Sequence, residues 1–292
     1  MRRSILLTVS LVFCVWGIVS GHTGIEQFAP QYPPQGPGIS VDGNLDDWGG
    51  FPEGATITID EMFARAGDDK GLDPPDFDVT IMTCWNDANN YFYLGIESFD
   101  DIYNANPTQG LPDVYLYDAM EMAVDADHSG GTYQYGSLPQ DQWGQTGQQW
   151  MFSPTPSPYS LVLRSSGATW MNVEPYNNYW AIVKTEATGT RIFQESYMVL
   201  WDFLSPVGPE QSIPHDLKEG DTIGLTFQFN DYDENPSAHS AMWHVQVGGG
   251  VDENADLLPD WHIIGSQGWD LSKLPTAVNS NSWGAIKATF AR

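Results

Sequence analysis

Cysteine is nearly missing from this chain of 292 residues. Its two cysteines are Cys14, inside an apolar leader, and Cys84. Without the leader one thiol remains, so an internal disulfide is excluded and the core must hold the fold by itself. Basic residues are scarce as well: 11 Lys and Arg stand against 38 Asp and Glu, a formal charge of −27. Such a surface repels phosphate backbones and anionic lipid, which excludes nucleic acid and an anionic membrane surface as partners. After the leader no apolar run is long enough to cross a bilayer, so no membrane span is expected. Sustained helical periodicity is absent too. So are the Gly-x-Ser-x-Gly elbow, the phosphate-cradling glycine loop and His-Glu-x-x-His. His239 and His244 lack further ligands at zinc spacing.

What is present starts at the N-terminus. Arg2 and Arg3 precede an apolar stretch from Ile5 to Val19, and Val19-Ser20-Gly21 supplies small residues for cleavage before His22. Residues 1–21 therefore read as a secretory signal peptide, and an exported protein, extracellular or periplasmic, is expected. Residues 22–38 carry Pro, Gly and Gln without period and read as an extended lead-in. Residues 39–292 read as one domain.

Strand signals fill that domain. Short runs with β-branched and aromatic residues occur at 56–59, 78–85, 91–98, 119–125, 160–166, 179–187, 191–201, 221–230, 241–247 and 284–291. Gly, Pro, Asn and Asp separate them, with Asn89-Asn90 and Thr188-Gly189-Thr190 as hairpin-like turns. The expected fold is all-β, an antiparallel sandwich or jelly roll. One short helix is expected from Tyr197 to Leu204. Residues 131–159 and 248–282, rich in Gly, Pro and Trp, read as long loop insertions at a sandwich end.

One strand carries a question. In Ala119-Met120-Glu121-Met122-Ala123-Val124-Asp125, alternation places Met120, Met122 and Val124 on one face and Glu121 and Asp125 on the other. The strand then runs into Asp125-x-Asp127-x-Ser129-Gly130. Oxygen-bearing residues at positions one, three and five with glycine at six resemble the first half of a calcium loop. Asp252, Asn254, Asp256 and Asp260 form a second oxygen cluster. These seven residues, with Ser129 among them, are the candidate calcium ligands; solvated acidic turns are the alternative. Twelve tryptophans are many for one domain. Several, including Trp261 and Trp269, have polar neighbours, and an indole face suits the CH face of a sugar ring. The alternative is that these rings fill the core.

Five segments, in order, resemble carbohydrate-binding module family 9, within the wider DOMON-like sandwich group. They are Val41-Asp42-Gly43 to Trp48, Trp85 to Leu94, Asp118-x-x-Glu121 with Asp125, Phe229-Asn230-Asp231-Tyr232-Asp233, and Gly284-Ala285-Ile286. The resemblance implies a β-sandwich that binds a sugar or polysaccharide end between two aromatic platforms and carries structural calcium. It places Tyr115 at one clamp position and Glu121 at the carboxylate that accepts sugar hydroxyls. Met151, or another apolar residue, falls where the family has an arginine. Trp261, Trp269 and Trp283 are candidates for the second platform. The first expectation is thus a secreted, non-catalytic carbohydrate-binding protein. The alternatives are a haem-binding electron-transfer protein using Met242, His244, Met120 or Met122, and a calcium-stabilised adhesion or matrix protein.

Overall fold

Alternation of side chains is realised as two stacked β-sheets. The structure is a computed structural model describing residues 26–64, 76–104, 116–155, 158–163, 167–233, 241–246 and 249–273. Along the chain the strands are β1 (Gln27–Pro30), β2 (Ile57–Thr58), β3 (Phe63–Ala64), β4 (Phe77–Asn86), β5 (Tyr91–Asp100), β6 (Ala119–Asp125), β7 (Gln148–Ser153) and β8 (Tyr159–Leu163). They continue with β9 (Asn177–Thr185), β10 (Thr190–Met198), β11 (Trp201–Phe203), β12 (Ile213–Pro214), β13 (Thr222–Asp231), β14 (Ala241–His244) and β15 (Asp260–Ile264).

One sheet runs β1-β15-β13-β6-β7-β8, with β14 also paired to β13 and β3 to β14. The other runs β2-β4-β5-β10-β9, and β11 with β12 forms a small ribbon. Every pairing between these strands is antiparallel except β1 with β15. The fold is an all-β sandwich. Its core forms where the inward faces meet. Val79, Ile81, Phe92, Leu94 and Ile96 come from one sheet, and Met120, Met122, Val124, Leu225 and Phe227 from the other. Among the described residues, no helix is long and apolar enough to cross a membrane.

Four expectations change here. Tyr197 to Leu204 is not a helix: β10 runs on to Met198 and β11 begins at Trp201, because an unbroken apolar run has no period to favour helix over strand. The insertion 131–159 contains β7, an interior strand of the larger sheet, and 248–282 contains β15. Within the lead-in, β1 pairs with β15. The signal peptide, the strand at 284–291 and Trp283 lie outside the described residues.

A second apolar cluster, Tyr32, Trp48, Cys84, Tyr93 and Trp269, covers the outward face of the five-stranded sheet. Trp48 lies over Gly95, where a Cβ would sit 2.5 Å from the indole, so only glycine admits it. The indole N–H donates to Glu195 Oε1 at 3.0 Å, and the Asp42 and Gly43 amides donate to Glu195 Oε2 at 2.9 and 2.7 Å. Gly43 has φ of 78°, which a residue with a Cβ rarely adopts. The Asp-Gly…Trp motif is thus a clasp that closes on one buried carboxylate.

Candidate functional site

Strand β6 lies between β13 and β7, in register Glu121↔Gln228 on one side and Glu121↔Met151 on the other. Residues opposite one another share a face. Glu121, Gln228 and Met151 therefore face outward, while Met120 and Met122 enter the core. Glu121 is buried at 7% exposure and gathers side-chain amides around it. Gln149 Nε2 donates to Glu121 Oε2 at 2.6 Å, and Asn230 Nδ2 donates to Oε1 at 3.1 Å. Behind them Gln134 Nε2 donates to Gln149 Oε1 at 2.8 Å and to the Asp252 carbonyl. Buried polar groups of this kind are retained where hydrogen bonds satisfy them, and side-chain amides can exchange those bonds with hydroxyls of a ligand. Met151 lies directly across from Glu121 on β7. Tyr115 lies outside the described residues.

The two tryptophans are elsewhere. Trp261 is fully buried in the main core, against Phe227 at 5.6 Å between ring centroids, with its N–H on the Leu225 carbonyl at 2.7 Å. Its neighbours Asp260 and His262 are polar because alternation turns them outward. Trp269 is buried in the cluster over the other sheet, edge-on to Tyr32 at 5.3 Å and to Phe51 at 5.2 Å. Neither indole offers a face to a sugar.

The two acidic loops, far apart in sequence, are fastened together. Gly131 N donates to Asp256 Oδ1 at 2.9 Å, Ala255 N to the Gly131 carbonyl at 2.8 Å, and Thr132 bridges Asn254. Most of the candidate calcium ligands serve this joint. Gly130 N donates to Asp125 Oδ2 at 2.7 Å, Ser129 N to Asp127 Oδ1 at 3.2 Å, and Asp256 N to Asn254 Oδ1 at 3.1 Å. Asp260 meets His128 Nε2 at 3.0 Å, and the Asp252 carbonyl accepts from Gln134. Asp125 is fully buried, its Oδ1 has no hydrogen-bond partner, and burial with Asp127 nearby pushes its carboxyl up to about 6.

A tighter acid group was not read from the sequence. Carboxylate oxygens of Asp100, Asp118 and Asp231 lie within 4.8 Å of one another, as do those of Asp76, Asp231 and Asp233, and of Asp100, Asp101 and Asp233. None of the seven candidate ligands belongs to these groups. Burial, then the charge of the neighbouring acids, raises the carboxyls of Asp100 and Asp118. Asn230, whose side chain turns to Glu121 on the outward face, also borders the cavity that Asp100 and Asp118 line. Asp118 and Asp231 fell inside two of the resembling segments; only β5 ending beside β6 and β13 shows that Asp100 joins them.

Of the residues named for haem, Met242 and His244 share the outward face of β14, opposite Asn230 and Gln228, and Met120 and Met122 do not join them. His244 faces outward beside Gln228, with Nδ1 2.6 Å from the Gln246 carbonyl, while Met120 and Met122 lie across the sheet in the core. Glu121 and Glu195 likewise occupy outward faces of different sheets, with the core between them, which separates them far beyond glycosidase carboxylate spacing.

No protein-family model matches the chain, and no curated protein matches it in sequence. Among solved structures, the chain is similar to a family 9 carbohydrate-binding module from Caldicellulosiruptor kristjanssonii in complex with cellotriose. The TM-score is 0.52 at 15% identity, covering 82% of this chain and 94% of that one. A family 9 module from the same organism in complex with glucose gives a TM-score of 0.46 at 14% identity, covering 82% of this chain and 96% of that one. At these identities the likeness is one of fold.

Proposed function

We propose that this is an exported, non-catalytic carbohydrate-binding protein that takes a neutral sugar or the end of a polysaccharide at Glu121. The observation that carries the reading is the buried carboxylate held by the rotatable amides of Gln149 and Asn230, with Gln134 behind Gln149, on the outward face of the larger sheet. A carboxylate accepts from sugar hydroxyls in charge-assisted bonds worth roughly 1.5–3 kcal/mol each, and the amides can both donate and accept. Tyr115, at the clamp position the resemblance implies, is proposed as the aromatic partner. Trp261 and Trp269 take no part. The net charge of −27 favours a neutral glycan over an acidic one. Calorimetry with glucose, cellobiose, cellotriose, cellohexaose and xylohexaose tests the reading. Wild type should bind without turnover, and Glu121→Gln should lose binding while staying folded. Equal affinity of the two proteins would reduce Glu121 to a strand acid.

Calcium belongs to the same proposal. Hard cations need converging oxygens. The Asp100, Asp118 and Asp231 carboxylates supply them, and Asp125 Oδ1 offers one more at the acidic joint. The cation would neutralise buried charge and lock strand ends together, with no chemical step. A ligand bound only to the native state at a hundredfold excess over its Kd adds about 2.7 kcal/mol. Chelator should therefore lower the melting temperature by several degrees, and an unchanged melting curve would remove calcium from the account.

A further inference from the structure

At the open edge of the sandwich, β8 of one sheet and the start of β9 of the other leave a groove between them. It encloses about 320 Å³ and is lined by Tyr159, Ser160, Asn172, Val173, Asn177 and Asn178, among others. That volume lies at the lower end of small-ligand sites. Its polar lining is Ser160, three asparagines and Glu174, and its apolar part is Pro158, Tyr159, Tyr179 and an exposed Val173. Asn177 Nδ2 donates to Ser160 Oγ at 2.6 Å and Asn178 Nδ2 to Glu174 Oε1 at 3.0 Å, which fixes two amides along the groove.

Two further observations point to what the groove accepts. Trp180 follows Asn178 by two residues on the same face of β9 and is 48% exposed, an unusual place for so large an apolar ring. Its indole rests on Gly43, where a Cβ would stand 3.0 Å from Trp180 Cδ1, so the clasp turn supports the ring while leaving it exposed. At the other end, Tyr159 packs against Met151 and Ala119, and Met151 is the residue opposite Glu121. From β6 to β8 is two strand spacings, roughly 10 Å. The groove therefore begins at Tyr159, one side chain from the Glu121 site, and runs to Asn178, beyond which the exposed Trp180 indole lies two residues along β9 on the outward face of the five-stranded sheet.

We propose that the β8–β9 groove is an extended subsite for the further sugar units of a neutral oligosaccharide, with the Trp180 indole as its outer stacking platform. The proposal rests on the saccharide reading of Glu121 and adds that chain length, beyond the terminal sugar, is recognised. Fixed amides suit sugar hydroxyls, and a flat exposed indole suits a sugar CH face. Glu174, the acid beside Asn178, turns away an anionic glycan.

The test uses the full chain and the same oligosaccharides, from glucose to cellohexaose and xylohexaose, in calorimetry. Wild type should bind a hexaose at least tenfold more tightly than the corresponding short sugar. Trp180→Ala and Val173→Arg, each shown by its melting curve to stay folded, should each remove that gain and leave glucose or cellobiose affinity unchanged. Glu121→Gln should instead weaken short and long probes alike. Should wild type bind hexaose no better than short sugar, or should both groove variants keep the gain, the groove is no subsite while the Glu121 reading stands. Should Glu121→Gln bind as wild type while Trp180→Ala does not, the Glu121 reading falls and the groove is the site. Absence of binding to every probe overturns both.

Discussion

Glu121 and Glu195 invite comparison because so much about them is the same. Each sits mid-strand on the outward face of its sheet, each is buried, and each accepts hydrogen bonds on both oxygens. The donors differ. Around Glu121 they are the side-chain amides of Gln149 and Asn230, which can rotate about their own bonds without moving a strand. Around Glu195 they are the backbone amides of Asp42 and Gly43 and the indole of Trp48, which cannot move unless the whole 42–48 turn comes away. Residue type and burial are the same at both positions; the freedom of the donors differs, and the binding role proposed for Glu121 rests on that difference.

The sharpest way to break the comparison is to remove Glu195. Glu195→Ala leaves the buried Gly43 and Trp48 donors and the part-buried Asp42 amide without an acceptor, at about 1–3 kcal/mol for each buried donor before relaxation, so a stability loss of about 2–5 kcal/mol is expected in urea unfolding. A loss below about 1 kcal/mol would show that the clasp closes without it.

Next comes pH. Burial pushes the Glu195 carboxyl up to about 7 from an ordinary 4.5, despite the three donors that oppose the shift. The folded protein therefore holds a proton between those values where the unfolded chain does not. Stability from this group is full below pH 4.5 and is lost as pH rises through 7, by about 2–3 kcal/mol between pH 5 and pH 8. Asp100, Asp118 and Asp125 shift in the same direction, so the readout is the slope that Glu195→Gln removes. An unchanged slope in that variant would place the pH dependence on the other acids.

Glu121→Gln should do the reverse. Its amide neighbours can flip to suit a glutamine, so stability should change by less than about 1 kcal/mol, while sugar affinity falls tenfold or more, about 1.4 kcal/mol. A large stability loss without loss of affinity would make Glu121 a second Glu195. The smallest effect is expected at Gln134, which touches Glu121 only through Gln149. Gln134→Ala should weaken binding a few-fold, within about 1 kcal/mol, and calorimetry showing a loss as large as that of Glu121→Gln would move Gln134 into direct contact with the sugar.

Much of this was legible in the sequence, and the failures have local causes. The strand at 119–125 alternates cleanly because one face is core and the other polar. Strand β7, Gln148–Ser153, was hidden because it shows no such alternation: all six residues are buried, glutamines included. Trp261 looked like a loop aromatic because its neighbours are polar, yet Asp260, Trp261, His262 and Ile263 keep the period of two that turns the ring inward. The helix expected at 197–204 failed because an apolar run alone fits either element.

The sequence by itself determined the all-β class and the outward face of Glu121. Both follow from which way successive side chains point, a property of the backbone over a few residues. Only the tertiary structure decided what Glu121 and Asp100 meet, that the loops at 125–131 and 252–260 form one joint, and that the core claims Trp261. Those outcomes depend on strand order and register, and a neighbour brought from more than a hundred residues away leaves no mark on the local pattern.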